Sequence, residues 1–440
     1  MMKLLGRYIP YLLIFTLALV AMAELLLLPH SFSEGLIKTF LPAREYIGEC
    51  LQNGQIPWWD PQLDLGYPIH ANPTSGAWSP IVWLIGLTAG YSKHLLEIEC
   101  GFHFLIGGIG MLALARTLKL NWALSMVTAI LFMVFVPFYS DHNLQHHTFS
   151  LCWLPLLLNY SVRLGREMHH TDAIKASISL FFLFTSGSIL MSIMGLGFLI
   201  LVYLFRSIQL LISGNRKGLW KLSFRNAQLL SYSVLFSLGA VISLYQLKPY
   251  LSADEQLLSD DTELRFSVHT TLERDYPLLL SKVRDTPLMM LSDTLLSTDD
   301  LAIHQAEGSF ENDQLYFDPF DLEYLKQRTF EHLHSDTLSI RSNTANELHI
   351  KTSTAHKCLL TLKQTHYKGW KASVNGRKAR ILKSNLAFMT IVVPPGENEV
   401  KFEYSNRMVK TAFLVSVFFL LTAFITLIFS EWKKRRKVTA

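Results

Sequence analysis

Glu34, Lys38, Arg44 and Asp60 are side chains able to take a proton or meet a phosphate, and they fall on one stretch between Ser31 and Pro80. A carboxylate there could deprotonate a hydroxyl, while Lys38 and Arg44 could stabilise a departing phosphate. The plainer readings are a solvated Glu34, an Asx-turn at Asp60, and attraction of the two cations to lipid headgroups. The same stretch holds Asn53-Gly54-Gln55-Ile56-Pro57-Trp58-Trp59-Asp60-Pro61, Gly66-Tyr67-Pro68, Asn72-Pro73 and Ser79-Pro80. Prolines at this density make it a folded object rather than a tether, with sharp turns at Gly54 and Gly66. Trp58, Trp59 and Trp78 carry the amphipathic rings favoured at the headgroup level of a membrane.

Other reactive residues are scattered. Asp141, His142, His146 and His147 form a second cluster, in which His142 and His146 are spaced to share a helical face. Such a pair can hold a divalent metal, although polar contact with substrate or interface explains it as simply, and no cofactor is expected. Glu24 and His103 sit within apolar runs; snorkelling of the first and a satisfied buried imidazole for the second are the alternatives to function. Cys100 and Cys152 are in apolar runs and Cys50 and Cys358 are outside them; unpaired thiols are the expectation, with a Cys50–Cys358 bridge the alternative. There is no phosphate-cradling glycine loop and no Ser-His-Asp arrangement.

The elements that must position these residues are membrane helices. Half of the residues are hydrophobic and 17% are charged, a balance that suits a polytopic membrane protein. Taking about 20 residues per span, apolar runs fall near 8–28, 97–115, 121–138, 148–163, 173–187, 188–205, 228–248 and 411–430. The segment Trp78 to Gly90 is too short and Pro-led, and reads as an interfacial helix. Eight spans place every short basic segment on one side, including Arg216 to Arg225 and the tail Lys433 to Lys437, so both termini are expected in the cytoplasm. This topology accounts for the net charge of +5, and nucleic acid is not implied. The tight turn Thr185-Ser186-Gly187-Ser188 is needed between two of the helices.

The expected organisation is a membrane domain over 1–250 with an outer loop at 29–96, a loop-rich outer region at 251–335, an antiparallel β-sandwich at 336–406, a last helix at 411–430 and a basic tail at 431–440. The sandwich rests on short alternating strands after Ser335, an Asn375-Gly376 hairpin and a turn at Pro394-Pro395-Gly396.

Two distant segments carry a resemblance. Gln55 to Pro61, Gly66-Tyr67-Pro68, Ala71-Asn72-Pro73 and Ser79-Pro80 look like the first-loop signature of YfhO-type bacterial membrane proteins. Tyr367-Lys368-Gly369-Trp370-Lys371-Ala372, Val374-Asn375-Gly376, Val393-Pro394-Pro395-Gly396 and Val400 to Tyr404 resemble the C-terminal β-domain of that family, and Trp153-Leu154-Pro155 and Gln246-Leu247-Lys248-Pro249 fit between them. The family is similar to the C-type glycosyltransferases, which move a sugar from a polyprenyl-phosphate carrier on the outer face of the membrane. The resemblance therefore implies an inverting transferase in a bacterial cytoplasmic membrane, acting on an extracytoplasmic glycan or cell-envelope acceptor. It implies Glu34 as first candidate for the base, with Asp60 second. Lys38, Arg44, Trp58, Trp59, His142 and His146 would bind the donor, and Trp370 the acceptor. Counting back from Pro42, the aspartate of the pattern falls on Gly35, next to Glu34. That glycine, and a length below that of most members, favour the rival reading of a catalytically inactive scaffold or glycan-binding protein.

Overall fold

The computed structural model describes residues 16, 34–61, 66–140, 147–247, 289–293, 295–297, 314–333, 335–385 and 387–439. The first expected span, Glu24, His142, His146 and most of the acidic region after Pro249 lie outside them. The chain divides into two compact units, Met1–Gln55 with His70–Leu244 and Met408–Ala440, and Ile56–Ile69 with Tyr245–Arg407.

The first unit is helical. Its helices are α1 (Glu34–Gln52), α2 (Pro80–Ala89), α3 (Lys93–Thr117), α4 (Trp122–Ser140), α5 (Thr148–Glu167), α6 (His170–Thr185), α7 (Ile189–Ile212), α8 (Arg216–Phe236), α9 (Leu238–Leu247) and, near the C-terminus, Arg407–Thr439. The core lies between α5, α6, α7 and α8, where Trp153 stacks on Phe182 at 4.2 Å and 8° among Leu157, Phe181, Leu183 and Leu229. Helix α3 closes on α5 because a Cβ on Gly107 would meet Cys152 Cα at 3.4 Å, and one on Gly110 would meet the Leu156 nitrogen at 3.0 Å. Small residues at such a crossing let backbones approach. The turn between α6 and α7 forms as the sequence requires. Gly187 takes a φ of 128° and the Ser188 side chain accepts the Met191 N–H, capping α7.

Three helices, Lys93–Thr117, Ile189–Ile212 and Arg407–Arg436, are long and apolar enough to cross a membrane, and four if the bent pair α8 and α9 is one span. The described residues therefore support a membrane protein with fewer such helices than the eight runs read from hydropathy. Part of the difference is that the run 8–28 lies outside the described residues; the rest arises where apolar runs fold as shorter or more charged helices, as in α6 and in α5, which carries Arg163, Arg166 and Glu167. The bend of 64° between α8 and α9 is held by side chains. A Cβ on Gly239 would meet the Trp78 ring at 2.2 Å, and the Gly239 N–H donates to Ser416 Oγ.

The second unit is a β-sandwich. Its strands are β1 (Met289–Ser292), β2 (Leu296–Ser297), β3 (Tyr316–Phe317), β4 (Thr337–Asn343), β5 (Glu347–Thr354), β6 (Cys358–Leu362), β7 (Trp370–Val374), β8 (Arg377–Ala379), β9 (Leu382–Ser384), β10 (Phe388–Val393) and β11 (Gly396–Tyr404). One sheet runs β1-β6-β10-β9-β3-β2 and the other β4-β5-β11-β7-β8; among these pairs β2 and β3 are parallel and the rest antiparallel. Alternate residues Leu360, Leu362, Met389 and Ile391 of the first sheet meet Ile350, Ala372, Val400 and Phe402 of the second. Leu359 and Leu382 point to the opposite face, covered by α10 (Pro319–Lys326) through Leu322 and Leu325. This double cover is why all five residues of β6 are buried. With α10 placed, the C-terminal helix Arg407–Thr439 becomes α11.

The sandwich starts earlier than Ser335. Strands β1 to β3 and α10 belong to it, and they escape a search for alternation because β2 and β3 are two residues long and β3 is buried on both sides.

Candidate functional site

The Pro-rich loop is built into the β-sandwich. Residues 56–69 belong to the second unit, where the Asn346 side chain donates to Ile56 O at 2.8 Å and accepts the Trp58 N–H at 2.9 Å, as a strand edge would. Gln364 does the same one turn on: it accepts Trp59 Nε1–H at 2.6 Å and donates to Pro61 O at 3.0 Å. Asp60 and Tyr67 exchange both backbone hydrogen bonds at 2.8 Å, closing a small loop. Gly66, at φ 99°, fits beneath it; a Cβ there would lie 2.3 Å from Gln364 Oε1 and 2.6 Å from the Trp59 ring.

Trp59 is thereby 1% exposed, with its ring 5.2 Å from Trp370, edge to face, and 5.0 Å from Tyr404. Gly369, at φ 120°, lets the chain pass Tyr404, whose ring would be 3.0 Å from an added Cβ. Trp58 and Asp60 are buried as well. The tryptophan pair expected at the headgroup level is instead wrapped by the sandwich, since Asn346, Gln364 and Tyr404 satisfy and cover it. The Trp370 Nε1–H is buried without a hydrogen-bond partner among the described residues, beside a shallow cleft shared with Trp59, Asn346 and Gln364. A wider groove on the same unit is lined by Tyr324, Asn375, Arg377, Lys378 and Arg380.

The other sequence candidates lie on the first unit. Glu34 opens helix α1, one turn before the exposed Lys38. Arg44 on the same helix is 1% exposed and bidentate to Glu99, with Nε–Oε2 at 2.8 Å and Nη2–Oε1 at 3.0 Å, and its Nη1 donates to Thr74 O. Its guanidinium also rests on the Phe40 and Phe149 rings. Burial lowers its pKa, but Glu99 together with Tyr91 and Cys100 more than offsets burial and holds it above the ordinary value. Tyr91 donates to the same carboxylate at 3.1 Å.

Glu97 and Glu99 went unflagged. Both are buried near the start of α3, with the Glu97 carboxylate 3.2 Å from the exposed His94 ring. The signal was available, since an ionisable residue inside an apolar run marks a site by default. His103 is a satisfied buried imidazole, with Nδ1 2.9 Å from Glu99 O and its ring stacked on Phe149. His147, the described member of its cluster, meets Ser188 Oγ at 2.6 Å. All four cysteines are buried and none is in a disulfide. The structure thus gathers Trp58, Trp59, Asp60 and Trp370 in one unit and sets Glu34, Lys38 and Arg44 along one helix of the other.

An aromatic loop seated in a β-sandwich, followed by an apolar helix long enough to cross a bilayer, defines a membrane protein with a C-terminal β-domain. Residues 296–416 match the model of the family described as bacterial membrane protein YfhO. No curated protein and no solved structure matches the chain.

Proposed function

We propose that this protein is a membrane glycosyltransferase of the C-type kind, moving a sugar from a polyprenyl-phosphate carrier to an extracytoplasmic glycan or cell-envelope acceptor. The supporting observation is that the loop segment 56–69, bearing Trp58, Trp59 and Asp60, is folded into the same unit as the family-matched sandwich. A loop and a β-domain built as one body suit a surface that presents an acceptor. The groove at Arg377 and Arg380 is the surface offered to it.

In this reading Glu34 takes the proton of the acceptor hydroxyl, and Lys38 with the His142 and His146 loop meets the carrier phosphate. No metal is required of it. The chain would span the cytoplasmic membrane eight times with both termini inside, as the one-sided basic loops require.

The rival reading, an inactive scaffold or glycan-binding protein, is favoured by the burial of Asp60 and by Arg44, whose guanidinium is engaged by Glu99 and Thr74. Transfer of radiolabelled sugar from a polyprenyl-phosphate donor in membranes decides between them. An enzyme loses transfer in Glu34→Gln; a scaffold shows no transfer above vector membranes with the wild type.

A further inference from the structure

The corner between α5 and α6 carries a group of side chains with no part in the proposed transfer. Helix α5 ends at Glu167, Met168 takes a left-handed φ of 54°, and His169 caps α6 with Asp172 in its first turn. That single left-handed residue turns the chain so that donors from both helices share one side. Glu167 Oε2 lies 3.1 Å from His169 Nδ1, which lies 3.8 Å from Asp172 Oδ2, and the donor atoms are all within 4.8 Å of one another. The corner is anchored by Met168, which is buried against Leu210 and Leu222 and whose carbonyl accepts from Arg225 Nε.

Asp172 supplies a separate observation. Its side chain is 2% exposed, and its Oδ2, the oxygen facing His169, is buried without a hydrogen-bond donor. Arg163 approaches the other oxygen, Oδ1, at 3.4 Å through an Nε that itself has no hydrogen-bond partner, and reaches Glu167 Oε2 at 3.6 Å. Lys175 is a further cation acting on Asp172, and it is shared with Glu431, whose carboxylate it approaches at 3.8 Å. A buried carboxylate oxygen with no donor is costly unless a cation completes it.

We propose that Glu167, His169 and Asp172 bind a divalent first-row transition ion of the zinc type. One imidazole and two carboxylates suit such an ion better than magnesium or calcium, which take oxygen ligands. Donors around a tetrahedral zinc lie roughly 3.3 Å apart, so the observed spacings need only small side-chain shifts. Arg163 would then orient Asp172 from behind through Oδ1. The site would clamp the ends of α5 and α6.

The test uses the full chain in detergent, stripped with chelator and titrated with Zn²⁺ by calorimetry and with Co²⁺ by visible absorption. One ion per chain is expected, with the bands of nitrogen and oxygen coordination. His169→Gln and Asp172→Asn should each weaken binding by about 10-fold or more. The His169 side chain is 63% exposed, so its replacement does not threaten the fold. Absence of stoichiometric binding, unchanged affinity in His169→Gln, or a thiolate charge-transfer band that assigns the ion to cysteine would overturn the proposal.

Discussion

Gly66 shows how closely the loop is fitted. Any side chain there must displace Gln364 or the Trp59 ring and hold a φ of 99°. Gly66→Ala should therefore lower stability by about 2 kcal/mol, read from the thermal midpoint in detergent, whereas Gly54→Ala, with open space around it, should lose only the backbone part. His70 adds a pH dependence. It is buried beside Ser243 Oγ, and burial pushes its pKa down to about 3 from 6.5. The unfolded chain takes up a proton near 6.5 and the folded one does not. Stability is thus full above that pH and falls by about 1.4 kcal/mol per unit as pH drops toward the folded value. A melting series from pH 7 to 5 should show this fall, and His70→Gln should flatten it. At the proposed catalytic positions, Glu34→Gln should reduce transfer by about 10²-fold or more. Asp60→Asn should leave transfer nearly intact, because the backbone pairing with Tyr67 does not involve the carboxylate. Loss in Asp60→Asn with Glu34→Gln active would move the base to Asp60.

At the level of elements, the β7 and β8 hairpin is a two-residue turn with Asn375 at φ 50° and Gly376 at φ 76°. Both signs match a type I′ turn, and Asn375 also bonds Asn398 and the Glu399 N–H. Gly376→Val should cost about 1 kcal/mol or more, since a β-branched residue resists that φ. The sheet order makes a sharper forecast about boundaries. A fragment from Ser335 to Asn406 would strip β1 from β6 and the α10 cover from Leu359 and Leu382. Its far-ultraviolet spectrum and solubility should be poorer than those of a fragment beginning before Met289; equal behaviour would show that the upstream strands add nothing.

For the whole molecule, the testable property is orientation. Trp220, in the basic segment at the start of α8, is exposed, and so is Lys378 on the β7 and β8 hairpin. With cysteines placed at 220 and 378, an impermeant thiol reagent on intact cells should label 378 and spare 220. Labelling at 220 would reverse the topology and with it the assignment of the sandwich to the outer face. The buried native cysteines should contribute little background.

Much of this protein was written in local pattern. Hydropathy runs mark helices because a bilayer or a helical core needs long apolar segments, and alternation marks β5 and β11 because one face of each packs inward. Asn375-Gly376 and Thr185 to Ser188 declare their turns through backbone preference alone. Residues 296–416 carry the family match. What tertiary structure decided was the partner of each exceptional side chain. Nothing local says that Trp59 meets Gln364 and Tyr404 rather than lipid, that Arg44 is claimed by Glu99, or that β1 closes an edge of the sheet next to β6. Those contacts join residues far apart in the chain, and their free energy depends on burial and on the geometry of both partners, neither of which a single stretch of sequence contains.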